Sequence, residues 1–346
     1  MFLASDNSSP AHPQVLQAVT DASSGYTGGY GAEAGMDRVR DQIRAIFEAP
    51  QAAVYLVGTG TAANALALAT MIEPWQTVFC HKIAHIEEDE CGAPEFFTGG
   101  AKLVLIEGQD GRMDPQAFGA KAAVTGHIGV HNVQRGVLSL TNVTEVGTTY
   151  RLEDLQKLTS IAKAHGMPVH LDGARFANAL VSMNCSPAEM TWKSGVDAVS
   201  FGGTKNGCMG VEAVILFNPE LAWEFELRRK RSGHLWSKHR YLSAQMEGYL
   251  ANDLWLTLAK KANEKATILE DGLKAKGISL AHPRDANMMF AGLPLEGHAA
   301  ASAAGAMYYP WDTDYTSVRS EAHQTCRLVT SWSTTEDDVE AFLNFF

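Results

Sequence analysis

Four short polar stretches that follow apolar runs carry the side chains from which a reactive site could be built. In Val169-His170-Leu171-Asp172-Gly173-Ala174-Arg175 a carboxylate and a guanidinium stand at the end of an apolar run. In Ala198-Val199-Ser200-Phe201-Gly202-Gly203-Thr204-Lys205-Asn206-Gly207 glycines surround one lysine. Taken singly, the aspartate could cap a helix and the lysine could be a surface residue. They are separated by about one helix and one strand, however, so a right-handed crossover brings both to the same sheet edge, where open α/β sheets bind ligands. The third stretch is Val54-Tyr55-Leu56-Val57 followed by Gly58-Thr59-Gly60-Thr61-Ala62-Ala63-Asn64, whose small residues open a helix with free backbone N–H groups suited to phosphate. A tight strand-to-helix turn without a ligand explains that segment alone equally well. A dinucleotide does not follow from it, because the next apolar run ends in Cys80-His81-Lys82, without the acidic residue that would take the ribose. The fourth stretch is His81-Lys82-Ile83-Ala84-His85, with Asp89 one helical turn further on; Lys82 stands where a zinc-binding HExxH helix has glutamate, so no metal is expected.

These segments need a scaffold of alternating strands and helices. Ala53–Val57, Thr77–Cys80, Lys102–Ile106, Val137–Thr141, Val169–Leu171, Val196–Phe201 and Val211–Phe217 read as strands, and Thr61–Met71, Leu152–His165 and Pro187–Gly195 as helices between them. The class is therefore α/β with a mostly parallel sheet. A long helical region from Leu221 to about Lys276 follows, then strand-like Ala286–Ala291 and Cys326–Ser331 and a closing helix at Thr335–Phe346. This pattern predicts a large domain over 1–250 and a small α+β domain over 251–346. With 346 residues, 46% hydrophobic and 19% charged, the chain can bury a substantial core. A formal net charge of −11 argues against nucleic acid as a partner. Five widely spaced cysteines without a CxxC pair predict a reducing cytoplasm, and the absence of a long apolar run predicts no membrane partner.

A phosphate cradle, a strand-end aspartate and a glycine-flanked lysine are together what pyridoxal phosphate requires: the lysine forms the Schiff base and the aspartate keeps the ring nitrogen protonated. The sequence resembles the L-threonine aldolase family of fold-type I pyridoxal-phosphate enzymes, especially its low-specificity or phenylserine-type branch. The likeness covers nearly the whole chain. It is carried by Ser5-Asp6-Asn7, Tyr30-Gly31, Gly60-Thr61-Ala62-Ala63-Asn64, Ala84 through Phe96, Thr144-Glu145-Val146-Gly147, His170 through Phe176, Phe201 through Gly207, and Cys326-Arg327.

The resemblance implies a role for each matching residue. Lys205 would carry the cofactor and Asp172 the ring nitrogen, with His85 stacked on the ring. Gly60, Thr61 and Thr204 would hold the phosphate, with Lys230 helping from a neighbouring subunit. Arg327, Arg175 and Ser5 would hold the substrate carboxylate, and Arg175 also the cofactor. His131, His85 and Asp89 are the candidates for the base that takes the β-hydroxyl proton, His131 also lying against substrate, and the choice among them is open at this point. The implied activity is retro-aldol cleavage of L-3-hydroxy-α-amino acids to glycine and an aldehyde by a homo-oligomer, dimer or tetramer, with active sites between subunits. A β-eliminating lyase or an aminotransferase would use the same Asp172 and Lys205. An NAD-type oxidoreductase would leave Lys205 without a role.

Overall fold

The structure, a computed structural model, describes residues 1–311 and 322–346. Seven strands, β1 (Ala53–Val57), β2 (Gln76–His81), β3 (Lys102–Ile106), β4 (Gln134–Thr141), β5 (Val169–Gly173), β6 (Ala198–Gly202) and β7 (Glu212–Leu216), form one sheet in the order β1-β7-β6-β5-β4-β2-β3. From β6 to β3 the neighbours are parallel, and β7 alone runs antiparallel to both β1 and β6. The expected α/β class and mostly parallel sheet are both present. Every residue of β1, β5, β6 and β7 is buried, which requires cover on both faces and fits their largely apolar sequences, the polar exceptions being His170, Asp172, Ser200 and Glu212.

One buried polar side chain crosses the centre of this sheet. His170 on β5 lies 3.0 Å from the Ser139 hydroxyl on β4 through Nδ1 and 3.0 Å from the Ser200 hydroxyl on β6 through Nε2. Burial pushes its imidazole down to about 4, so the ring is neutral and bridges three strands two residues before Asp172. The helix Gly60–Met71 packs against the strands with residues 62 through 70 all buried. Its Ala- and Leu-rich sequence permits that close approach, and its one amide side chain, Asn64, is consequently carried into the interior.

The helical region after β7 contains three α-helices, Ala222–Arg231, Arg240–Leu250 and Leu254–Ala275. Asn252 and Asp253 adopt left-handed backbone conformations between the last two. The predicted helix Pro187–Gly195 is also divided. Pro187–Met190 is capped by Ser186, Thr191 leaves helical geometry, and a single 3₁₀ turn covers Trp192–Ser194. The helices Pro13–Asp21, Ala34–Ile46, Pro115–Val124 and Phe176–Met183 are additional to the sequence reading.

A second sheet of β8 (Met288–Pro294), β9 (Tyr309–Pro310) and β10 (His323–Val329) is antiparallel in the order β8-β10-β9. The chain's beginning joins it, since Leu3 N–H donates to the Met307 carbonyl and Val329 N–H donates to the Leu3 carbonyl. Leu3 accordingly shares a core with Leu269, Leu328 and Phe342, whereas Leu254, Trp255 and Leu258 at the start of the same long helix belong to the core beneath the large sheet. Among the described residues no helix is long and apolar enough to cross a membrane.

The loop after β4 is pressed against β8 at Gly147, where φ is +87° and an added Cβ would sit 2.2 Å from the Met288 carbonyl oxygen. Gly147→Ala is therefore expected to lower unfolding free energy by about 2–3 kcal/mol, from left-handed strain plus the clash. Chemical denaturation would measure it, and an unchanged midpoint and slope would show that the loop yields freely.

Candidate active site

The carboxyl ends of β4, β5 and β6 meet the first turn of the helix Gly60–Met71 around a cleft of about 260 Å³, near the lower end for a pocket that takes one small molecule. Because β7 is antiparallel, its first residue, Glu212, also lies at this edge, opposite Val57 and Gly202. At one end of the cleft the Thr59 hydroxyl accepts from Ala62 N–H at 3.2 Å. That cap leaves the N–H groups of Gly60 and Thr61 at the positive end of a twelve-residue helix. The space beside Gly60 is open, for a Cβ added there would meet nothing within 4 Å, and Thr204 lines the cleft as well. The arrangement suits an anion of phosphate type.

Beside it lies a hydrogen-bonded chain of buried groups. Asp172 accepts from Ala174 N–H at 2.9 Å and from Asn64 Nδ2 at 2.8 Å, and the same Asn64 nitrogen donates to Glu90 Oε1 at 2.9 Å. Glu90 Oε1 is also 2.9 Å from His85 Nδ1. Burial alone would lower the basicity of His85, but the bond to Glu90 and the charge of Asp172 outweigh it and raise the imidazole above its ordinary value. Glu145 closes the wall next to His85. Its Oε1 accepts from His85 N–H at 2.8 Å, and burial pushes its carboxyl up to about 7.

Lys205 stands in the 3₁₀ turn Thr204–Asn206 after β6. Burial and then the Arg175 charge hold its amine below the usual ammonium range, against the pull of Asp6, Asp172 and Glu212. A smaller positive charge on this lysine favours a nucleophilic amine. Glu212 accepts from Gly203 N–H at 2.7 Å beneath the lysine turn, and burial pushes it up to about 7. Arg175 forms a bidentate pair with Asp6, at 2.6 Å from Nε and 2.8 Å from Nη2, with both side chains buried. Asn287 Nδ2 donates to Asp6 at 3.1 Å, so the chain start, the large sheet and the small sheet meet at this carboxylate. Arg327 on β10 lies over the Trp311 ring, 5.7 Å from its centroid. Burial, with Arg175 adding to it, lowers its guanidinium to about 10, and Asp6 and Asp89 act in the opposite direction.

Of the residues singled out from the sequence, Lys205, Asp172, Gly60, Thr61, Thr204, His85 and Arg175 all line the cleft. Arg175 does so with Nε and Nη2 each giving a hydrogen bond to Asp6, so Nη1 is the nitrogen left clear of the ion pair. Ser5 caps the turn Asp6–Ser8, and Asn7 rather than Ser5 reaches the cleft wall. Asp89 is exposed beyond the end of the helix His85–Glu88, and the acid that touches His85 is its neighbour Glu90. Lys230 is exposed, with Nζ 5.0 Å from the centroid of the Tyr30 ring. His131 is exposed in the turn Gly129–His131 before β4, whose far end, Thr141, lines the cleft. An eight-residue strand spans about 25 Å, so one chain keeps His131 at the opposite edge of its own sheet. The sequence reading assigned no role to Asn7, Asn64, Glu90, Glu145 or Glu212. An amide inside the run Gly60–Met71 and an acid directly before the apolar run Ala213–Leu216 were the available signals.

The donor set fits pyridoxal phosphate. The cradle suits its phosphate, Asp172 a protonated ring nitrogen, and Lys205 an aldehyde carbon. Two buried oxygens of cleft-lining residues, Asn64 Oδ1 and Glu145 Oε2, have no partner among the described residues. Each such vacancy costs about 1–3 kcal/mol, which a ligand bearing donors would offset.

Comparison with known proteins gives the same picture. The profile of the beta-eliminating lyase family matches residues 3–294. A low specificity L-threonine aldolase of Pseudomonas aeruginosa is 39% identical over 339 residues, covering 94% of this chain and 97% of that one. The solved threonine aldolase of Leishmania major superposes with a TM-score of 0.92 at 29% identity, covering 99% and 97% of the two chains. A structure of SPT with PLP has a TM-score of 0.71 at 18% identity over 100% and 86%, a likeness of fold. The resemblance read from the motifs is borne out.

The Asp6–Arg175 pair yields a pH-dependent expectation. Removing one partner of a buried pair costs about 3–5 kcal/mol, so Asp6→Ala should lose about that much stability at pH 7. The Asp6 carboxyl is held below its ordinary value: burial alone would raise it, but the Arg175 charge and hydrogen bonds prevail. The stability it contributes is thus complete above pH 3.8 and is lost as pH falls from there through the depressed folded value. Denaturation of both proteins from pH 7 to pH 3 should show a constant gap that narrows only below about pH 4; a gap that closes near neutrality would contradict this account.

Proposed function

Because the chain belongs to the beta-eliminating lyase family, we propose that its cleft holds pyridoxal phosphate and cleaves L-3-hydroxy-α-amino acids such as L-threonine, L-allo-threonine or L-phenylserine into glycine and an aldehyde. The chain is a carbon–carbon lyase of the low-specificity L-threonine aldolase type, the activity named for its 39%-identical relative. The observation that carries the reading is the convergence of Lys205, Asp172, His85 and the Gly60–Thr61 cradle on one cleft.

When bound, the cofactor supplies an electron sink for the pair released as the Cα–Cβ bond breaks. Every other task falls to side chains. Lys205 offers an amine whose charge is already disfavoured, and Asp172 would hold a proton on the ring nitrogen, its carboxylate fixed by Asn64 and Ala174. The Gly60 and Thr61 N–H groups and Thr204 would anchor the phosphate. Arg327 and Nη1 of Arg175 would take the substrate carboxylate, fixing the Cα–Cβ bond in the orientation that cleaves.

The remaining task is to remove the β-hydroxyl proton. Among the three candidates, His85 alone lines the cleft of a single chain, with Glu90 orienting its ring. His131 and Lys230, exposed and outside their own cleft, could act only from a second copy, so their implied roles and a homo-oligomer with sites between subunits stand or fall together.

Loaded protein given L-threonine or L-phenylserine should release equimolar glycine and acetaldehyde or benzaldehyde, and Lys205→Ala should release neither. Ammonia with a 2-oxo acid would assign elimination instead. His131→Ala should lower turnover by about 100-fold or more while cofactor content stays constant, and unchanged turnover would remove His131 from the mechanism.

A further inference from the structure

We propose that Glu145 is a cofactor-binding residue, a neutral carboxylic acid whose Oε2 donates a hydrogen bond to the ring oxygen at position 3 of pyridoxal phosphate. The inference rests on the cofactor reading above and adds to it a contact on the far side of the ring. Its first support is topological. On the pyridoxal ring the phosphate arm and the 3-oxygen lie on opposite sides of the axis from the ring nitrogen to the aldehyde carbon. Here Asp172 at the end of β5 and Lys205 after β6 mark that axis, and the phosphate cradle follows β1. In the sheet order β1-β7-β6-β5-β4 the other side of the ring therefore faces the end of β4. Three residues from there line the cleft, Thr141, Val143 and Glu145, and only Glu145 is ionisable.

The second support is an unmade hydrogen bond. Glu145 Oε1 is used by His85 N–H at 2.8 Å, while Oε2 is buried and without a partner among the described residues. A buried oxygen in that state marks a place where a partner is missing.

The third support is the local charge. Glu145 faces the Asp172 carboxylate, the Arg175 guanidinium and, behind it, Tyr150 and Cys80. Arg175 is the one cation in this group, and Asp6 already holds it. Burial raises the carboxyl to about 7 and Asp172 adds to the rise, against the His85 N–H, Glu145's own N–H and the nearby Thr141 hydroxyl, which pull it down without any of them closing a hydrogen bond to Oε2. An oxygen of anionic character brought against it favours the protonated acid further. An ionised carboxylate would meet both Asp172 and the ring oxygen as like charges, whereas the acid meets the oxygen as a donor.

The test compares the parent with Glu145→Gln, which keeps a donor of the same shape, and Glu145→Ala, which removes it. Each protein is stripped, titrated with pyridoxal phosphate by its visible absorption, and scanned for the pH midpoint of the Lys205-linked band. Circular dichroism confirms that each is folded. The alanine variant should bind about 10-fold more weakly, with its midpoint moved up by about one pH unit because the deprotonated ring oxygen has lost its donor. The glutamine variant should stay within about threefold of the parent, with little change in midpoint. An alanine variant equal to the parent would overturn the proposal. So would a glutamine variant whose midpoint falls by about a unit, which would mean that Glu145 is ionised in the parent; this arm decides the matter if the alanine variant does not fold. A parent with no visible band would instead sink the cofactor reading, and the inference with it.

Discussion

Two buried carboxylates, Asp172 and Glu90, are held at one amide nitrogen, and most of the site follows from that arrangement. Asn64 gives one N–H to each, at 2.8 and 2.9 Å. Burial and the charge of Asp172 raise the Glu90 carboxyl, and the bonds to His85 and Asn64 offset part of that rise. With the amide between them, each can face a cation on its outer side: the His85 ring lies against Glu90, and a protonated ring nitrogen would lie against Asp172. The strand that carries Asp172 is braced by the neutral His170 bridge between Ser139 and Ser200. The helix that carries Asn64 is buried along most of its length, so the amide has little freedom to move away.

A second charged junction ties the small sheet to this centre. Asp6 binds Arg175 through both oxygens and accepts from Asn287, which also donates to the Thr330 carbonyl. The N-terminal segment therefore works as a strap: Leu3 is stitched into the small sheet, and Asp6, three residues on, orients a guanidinium of the large one. A buried pair of this kind is a weak source of stability but a strong specifier of geometry, because either partner alone would be an uncompensated charge. It also leaves Nη1 of Arg175 clear of the pair on the cleft side, while Arg327 lies over Trp311.

Several elements were legible in the sequence because their signal is local. The apolar runs at β1 and β3 coincide with the strands observed, and the glycine-rich turns after β1 and β6 could be recognised from composition and position. The amphipathic helices near the N-terminus and the division of the region after β7 were missed. Left-handed Asn252 and Asp253 end one helix and begin another; Asn and Asp are the non-glycine residues that most readily adopt that conformation, but without proline or glycine their signal is weak and was passed over. Among site residues, those with a reactive group after an apolar run were found, while Glu90 was passed over for Asp89. One residue's difference in register turns a side chain from solvent to the interior, and helical spacing does not fix where so short a helix ends.

What the sequence determined by itself is the chemistry available: a lysine among glycines, a strand-end aspartate, a phosphate-type turn and a composition that favours a folded α/β protein. Those are properties of residue type and near-neighbour order. Only the tertiary structure decided which carboxyls are raised toward neutral pH, which arginine nitrogen lies clear of its ion pair, and which histidine meets the cleft. Desolvation and pairing depend on distances between residues far apart in the chain, such as Asp6 and Arg175 or Asn64 and Asp172, and spacing along the sequence carries no measure of them.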